Sequence, residues 1–336
     1  MFKINLFIFI SVLSLSNVSL ADKKDHTLSF QFENDFFGGG TDRHFSHGTR
    51  FELLSEPLQW VTNLADKLPW FDSNTGSGPE DGLEGRGSIS IGQSIYTPEN
   101  TYTSELVPDE RPYAGWLYIG FGLMANQGNE HYDRYDKLQL EIGVVGPMSY
   151  AEEVQKFIHS VLGNHIPQGW DHQLKNEPGI VLYYEQAYRI FHDRKIFSLD
   201  YDIVPHLGGS LGNIFTYFNA GCTLRVGRDL KNDFGPPRIN PSLPGGGAFS
   251  TDRFSWNVFA GLGGRVVLQN IFLDGNTFKD SHSVKKKILV GDLQAGFSLR
   301  WKRFGISYTQ IFRTKEFKGQ DSDDIFGAIN MSWYFK

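Results

Sequence analysis

The sequence predicts an all-β protein: a single transmembrane antiparallel β-barrel of about twelve strands, with a short helix in an outward-facing loop. Three observations carry this expectation. A two-residue alternation of apolar and polar side chains recurs along most of the chain, the period of strands with two different faces. Among 336 residues there are 28 Phe, 14 Tyr, 7 Trp and 37 Gly, a load that suits strands with interfacial aromatic girdles and tight turns. Mean hydropathy is only −0.32, as expected when lipid-facing and lumen-facing residues alternate and dilute each other.

The chain opens with Lys3, an apolar run from Ile4 to Leu15, and Ser19-Leu20-Ala21 before Asp22. Charge, short apolar core and small residues in that order read as a secretory signal peptide over residues 1–21, with residues 22–336 forming one mature domain. The run is shorter than the roughly 18–20 residues needed to span a bilayer as a helix. An exported chain with one cysteine, Cys222, cannot staple itself with an internal disulfide, so backbone pairing and packing must hold it. The net charge of −6 argues against a nucleic-acid partner.

Taken in order, strands are expected at His26–Asp35, Phe45–Leu54, Ser88–Tyr96, Tyr113–Ala125, Lys137–Val145, Ile180–Phe191, Ile196–Leu207, Phe215–Gly227, Phe254–Val267, Lys287–Trp301, Gly305–Phe317 and Asp324–Phe335. Pro57–Leu68 reads as a brief helix, followed by a Gly- and acid-rich loop from Asp72 to Gly87. From Tyr150 to Gly163 the period changes: Val154, Phe157, Ile158, Val161 and Leu162 share one helical face, with Glu152, Gln155 and His159 on its flank. An even strand count returns both termini to one side and leaves no edge in lipid. A soluble or periplasmic all-β sandwich is the competing fold, since strand patterns alone do not separate the two. Tight turns are expected at His192-Asp193-Arg194-Lys195 and Lys302-Arg303-Phe304, on the side of the termini. Two connections on that side, Ser55–Gly87 and Arg228–Arg253, are too long for the short turns expected there.

The first strand ends on Asn34 and Asp35, just before Gly38-Gly39-Gly40. Two oxygen-bearing side chains at a strand end could bind a hard cation, or simply close an Asx-type turn. Gln155 and His159, spaced i,i+4, stand side by side on their helix, one able to orient a water and the other to take its proton; equally they could be the polar flank of a loop helix. The strand count brings both sets and the Pro98–Arg111 loop to one rim. Ser46 and His47 are adjacent on a strand and point to opposite faces, so they form no dyad with each other. His165, His172, His206 and His282 show no zinc spacing. Arg111 either starts a strand at the interface or pairs with a phosphate, a task suited to guanidinium geometry.

Several strings then resemble one family: Glu33-Asn34-Asp35-Phe36-Phe37, Thr41-Asp42-Arg43 with Ser46 and Gly48, Gly92-Gln93 with Tyr96-Thr97-Pro98, Arg111-Pro112-Tyr113-Ala114-Gly115, Gly146-Pro147, Gln155, His159, Gly169-Trp170, Gln173 and Glu177. In this order they resemble the outer-membrane lipid A 3-O-deacylases. The resemblance implies a barrel whose site opens near the outer leaflet of the outer membrane, inserted by the barrel-assembly machinery, and a Ca2+-dependent hydrolysis of the ester at the 3-position of lipid A in lipopolysaccharide. It implies His159 as general base, Gln155 beside it, Asn34 and Asp35 in the metal and oxyanion site, and Ser46, Arg111 and Glu177 as candidates for substrate binding. Two other functions remain open on sequence: an outer-membrane phospholipase with a serine nucleophile such as Ser46, and a non-catalytic channel or adhesion barrel.

Overall fold

The computed structural model describes residues 26–37, 44–67, 83–128, 132–230, 233–236, 239 and 251–336. The expected signal peptide, Gly38-Gly39-Gly40, Thr41-Asp42-Arg43, Leu68, Asp72 to residue 82 of the acid-rich loop, Pro237 and Gly245-Gly246-Gly247 lie outside the described residues. Twelve strands follow one another: β1 His26–Asn34, β2 His44–Leu54, β3 Glu84–Thr97, β4 Ala114–Gly128, β5 Tyr132–Val145, β6 Glu177–Ile196, β7 Leu199–Gly212, β8 Phe215–Arg228, β9 Thr251–Asn270, β10 Leu289–Lys302, β11 Phe304–Arg313 and β12 Asp324–Phe335. Each pairs antiparallel with its neighbours in sequence, and β1 closes the ring against β12 from His26↔Phe335 to Asn34↔Gly327. The sandwich alternative is thereby set aside. No helix among the described residues is long and apolar enough to cross a membrane.

One expected turn is misplaced. His192-Asp193-Arg194-Lys195 lies within β6, and the chain reverses at Phe197 and Ser198, both left-handed with φ of 49° and 70°. A run of charged residues ordinarily marks a turn, but here it forms the end of a 20-residue strand. β11 also stops at Arg313; Phe317, expected to end it, makes only an isolated bridge to Lys286.

The alternation is inverted relative to a water-soluble protein. Along β1, Thr27, Ser29, Gln31 and Glu33 are buried in the lumen while Leu28 is exposed. Phe51, Leu53, Ile89, Ile91, Ile119, Phe121, Ile180, Leu262 and Leu293 are likewise exposed on the outer wall. Such a surface suits hydrocarbon and not water. Inside, charges pair with one another: Arg50 donates to Glu52 at 2.7 Å and to Gln139 at 3.0 Å, and Arg265 and Arg313 share Asp292 at 2.9 and 2.8 Å.

The described parts of the two long connections pack against the barrel. Helix α1, Gln59–Ala65, folds back onto β3, where the Gly85 N–H donates to Thr62 Oγ1 at 3.0 Å. A side chain at Gly85 would strike the helix backbone, with its Cβ 2.5 Å from Thr62 N. The connection after β8 turns into the lumen. Asp233 pairs there with Arg225 and Arg300, Phe234 stacks on Tyr135 at 5.3 Å, and the Ile239 N–H reaches Glu33 Oε1 at 2.9 Å. Near the opposite end helix α2, Ala151–Leu162, lies in the β5–β6 connection, and helix α3, Ile271–Asp274, stacks Phe272 on Tyr96 at 4.0 Å. The lumen is therefore packed with side chains from wall and loops, a poor arrangement for an open channel.

Burial alone would raise the Asp233 carboxyl, but Arg300, Arg225 and the Gly235 N–H outweigh it and hold the group at about 2. A depressed carboxyl stabilises the fold above its unfolded value, near 3.9, and that contribution is lost as pH falls toward about 2. Heat-modifiable electrophoretic migration of the folded barrel should hold its midpoint from neutral pH to about 4 and drop below that. Asp233→Asn, which removes the carboxylate charge shared by two buried guanidiniums, should cost about 3–5 kcal/mol and lower the midpoint at neutral pH.

Candidate active site on the outer wall

The connections after β1, β3, β5, β7, β9 and β11 gather at the end opposite the chain termini, and with them Asn34, Asp35, the 98–113 segment and α2. The site halves thus share an end, and Asn34 and α2 lie on the outer side of the wall and not in the lumen. On β1 the luminal residues are odd-numbered, which puts Asn34 on the outer parity with Leu28 and Phe30. One lateral row then runs Asn34↔His47, His47↔Ile95 and Ile95↔Gly115 across four strands, about 14 Å at roughly 4.8 Å per strand.

Helix α2 lies on this row. A one-turn 3-10 helix, Pro147–Ser149, sets it against the wall, and Tyr150 and Gly163, both left-handed, open and close it. Gly115 is what allows the approach: a Cβ there would stand 2.1 Å from Ser149 Oγ and 2.2 Å from Ala151 Cβ. Ile95, Tyr113, Ala151 and Trp170 form one buried cluster beneath the helix, with Val154 packed against it. The face turned to the wall carries Ala151, Gln155 and His159, while Phe157, Val161 and Leu162 are 62%, 68% and 65% exposed. A helix on a water-soluble body would present the opposite face outward.

Both polar side chains on the inner face are oriented by neighbours. Trp170 Nε1 can only donate, and it donates to Gln155 Oε1 at 2.9 Å, which fixes the amide so that its NH2 end points elsewhere. His159 Nδ1 donates to the His165 carbonyl. A carbonyl only accepts, so in the neutral ring Nδ1 carries the proton and Nε2 is the basic nitrogen. His165 is itself held, stacked on Tyr102 at 3.8 Å with its Nε2 donating to Thr101 O at 3.2 Å.

At the other end of the row, Asn34 Nδ2 donates to Ser46 O at 2.6 Å. Asp35 is buried at the start of a 3-10 turn, Asp35–Phe37. Ser46 sits where the β2–β3 register slips between Phe45 and His47, and its hydroxyl pairs with Thr97 Oγ1 at 2.6 Å. His47 Nε2 pairs with Thr49 Oγ1 at 2.7 Å, so the two neighbours form no dyad.

Arg111 and Glu177 lie elsewhere. Arg111 is buried, 4.9 Å over the luminal Tyr96 ring and 3.5 Å from Glu316. Burial would raise the Glu316 carboxyl, but Arg313 and Arg111 together hold it below its ordinary value. Glu177 accepts at both oxygens, from Asn213 and the Thr277 N–H on one and from Asn276 and the Phe278 N–H on the other, anchoring the segment after α3. Sequence reasoning did not reach the His165 carbonyl, since a backbone acceptor leaves no side-chain signature, and it quoted Thr97 within a family string without giving it a role.

Gly115→Val should leave the barrel intact, judged by heat-modifiable migration, yet lift α2 from the wall; faster proteolysis within residues 146–176 would report it. Trp170→Phe keeps the aromatic packing but removes the donor to Gln155, so a double-mutant cycle with Gln155→Leu should show coupling of about 1 kcal/mol in thermal stability.

The model of the family described as outer membrane protein LpxR matches residues 6–335. Among solved structures, LpxR from Salmonella typhimurium superposes with a TM-score of 0.73 at 21% identity, covering 92% of this chain and 100% of that one. At that identity the likeness is one of fold. The β domain of the Bordetella autotransporter BrkA gives a TM-score of 0.43 at 9% identity, covering 93% of this chain and 98% of that one. No curated protein matches by sequence.

Proposed function

The chain belongs to the LpxR family of outer membrane proteins, and from that premise we propose that it is an esterase removing the acyl chain from the 3-position of lipid A. The observation that carries the reading is a histidine of fixed tautomer held against the lipid-facing wall, where a membrane lipid would arrive without entering the lumen. The exposed Phe157, Val161 and Leu162 extend the apolar surface outward over that site, as a helix bordering lipid would.

In this reading the site faces the outer leaflet. His159 Nε2 takes a proton from water as the oxygen attacks the ester carbonyl, and the imidazolium returns it to the departing sugar 3-oxygen. A free fatty acid and a 3-hydroxyl result. Gln155, its amide set by Trp170, positions the water or the ester. The Asp35 carboxylate and the Asn34 side-chain carbonyl, whose amide N–H is committed to Ser46 O, are hard oxygen donors that fit Ca2+. Bound there, the ion supplies positive charge to the oxyanion. Two protein oxygens are too few for such an ion, so backbone carbonyls or the substrate's phosphate and sugar oxygens complete its shell. The serine-esterase alternative gains nothing from the structure, since the Ser46 hydroxyl faces Thr97 and not an imidazole.

Mass spectrometry of lipid A from cells expressing the protein tests the reading. The wild type should remove one 3-linked acyl or acyloxyacyl unit, and calcium chelation of isolated membranes should suppress it. His159→Ala should lower the rate by about 10²–10⁴-fold while the folded barrel persists. Unaltered lipid A with the wild type, or full activity in His159→Ala, would refute it.

A further inference from the structure

A second group of ligating side chains stands at the same end of the barrel. His44 opens β2 in the left-handed region, φ 63°, and is completely buried. A non-glycine residue in that conformation is held there by its surroundings. Its Nδ1 lies 2.5 Å from Asp324 Oδ1 and 3.4 Å from Gln320 Nε2; the carboxylate is the nearer and can only accept, so in the neutral ring Nδ1 donates to it and Nε2 carries the lone pair. That buried Nε2 makes no hydrogen bond. It points toward Glu110, 3.5 Å from Oε2, and one oxygen each from Glu99 and Glu110 lie with it inside a group whose members are all within 4.8 Å of one another.

We propose that His44, Glu99 and Glu110 bind a divalent first-row transition cation of the zinc or manganese class. An imidazole nitrogen with two carboxylates is a donor set for such ions, whereas Ca2+ and Mg2+ favour all-oxygen shells. Asp324 plays the part that carboxylates play behind metal-bound histidines, fixing the tautomer and raising the basicity of the other nitrogen. The site would tie β2 to both ends of the 98–113 segment, with β12 behind it. That segment is already drawn in by the Glu99 N–H to Glu110 Oε2 at 3.3 Å and by His282 Nε2 donating to Glu110 O at 2.8 Å. Its Thr101 carbonyl holds His165 and accepts the Gln168 N–H at 3.0 Å, so the cation would brace the loop on which the His159 tautomer depends.

The test uses Zn2+ and Co2+ as the probes. The full barrel in detergent is stripped with EDTA, equilibrated with Zn2+, desalted and assayed for metal per chain, with Co2+ absorption as a report of coordination. One equivalent is expected in the wild type and in Asp35→Asn, which leaves the proposed calcium site impaired. It should be lost in His44→Asn, a residue that tolerates the left-handed backbone, and in the Glu99→Gln/Glu110→Gln double variant. Asp324→Asn should weaken affinity about 10–100-fold. Zinc retained in both ligand variants would mean adventitious binding and overturn the proposal. No uptake by the wild type would also overturn it, leaving His44 as an imidazolium clasped between Asp324 and Glu110.

Discussion

Closure of β1 against β12 is the constraint on which everything else rests. In hydrocarbon an unpaired backbone group has no water to satisfy it, so the sheet must meet itself. Once the ring is closed, every residue is assigned by parity to the lipid or to the lumen, and the antiparallel order assigns every connection to one of two ends. The paired register from His26 to Asn34 therefore decides that Glu33 looks inward to Ile239 while Asn34 looks outward.

That parity explains why a polar, charged lumen and the candidate site coexist without sharing space. The lumen is occupied by ion pairs such as Arg225 with Asp202 and Asp233, and by Phe234 stacked on Tyr135. On the function proposed above, a lipid would reach the outer wall without entering it. There α2 packs Ala151 over Gly115, with Gln155 and His159 on its buried face.

Much of this was legible in the residues. Alternation revealed the strands, and the helical spacing of Gln155 and His159 set them side by side, as the structure has them. The errors have physical causes. His192-Asp193-Arg194-Lys195 looks like a turn because a run of charge ordinarily marks one, but β6 continues through it to Ile196. The Arg228–Arg253 connection was unreadable because its meaning lies in Asp233 meeting Arg300, 67 residues away. Arg111 pairs with Glu316, a partner still more remote in sequence.

The sequence by itself determined the strands, their number and, for a barrel, the end at which Asn34, Asp35, Gln155 and His159 gather, because a period of two and the turns between runs are local properties of the chain. Only the tertiary structure decided which wall those residues face, which neighbour sets the His159 tautomer, and that His44 meets Glu99 and Glu110. These are outcomes of register and of loop docking. Both depend on close approach between distant segments, at Gly115 beneath α2 and at Asp324 beside His44, which spacing along a chain does not encode.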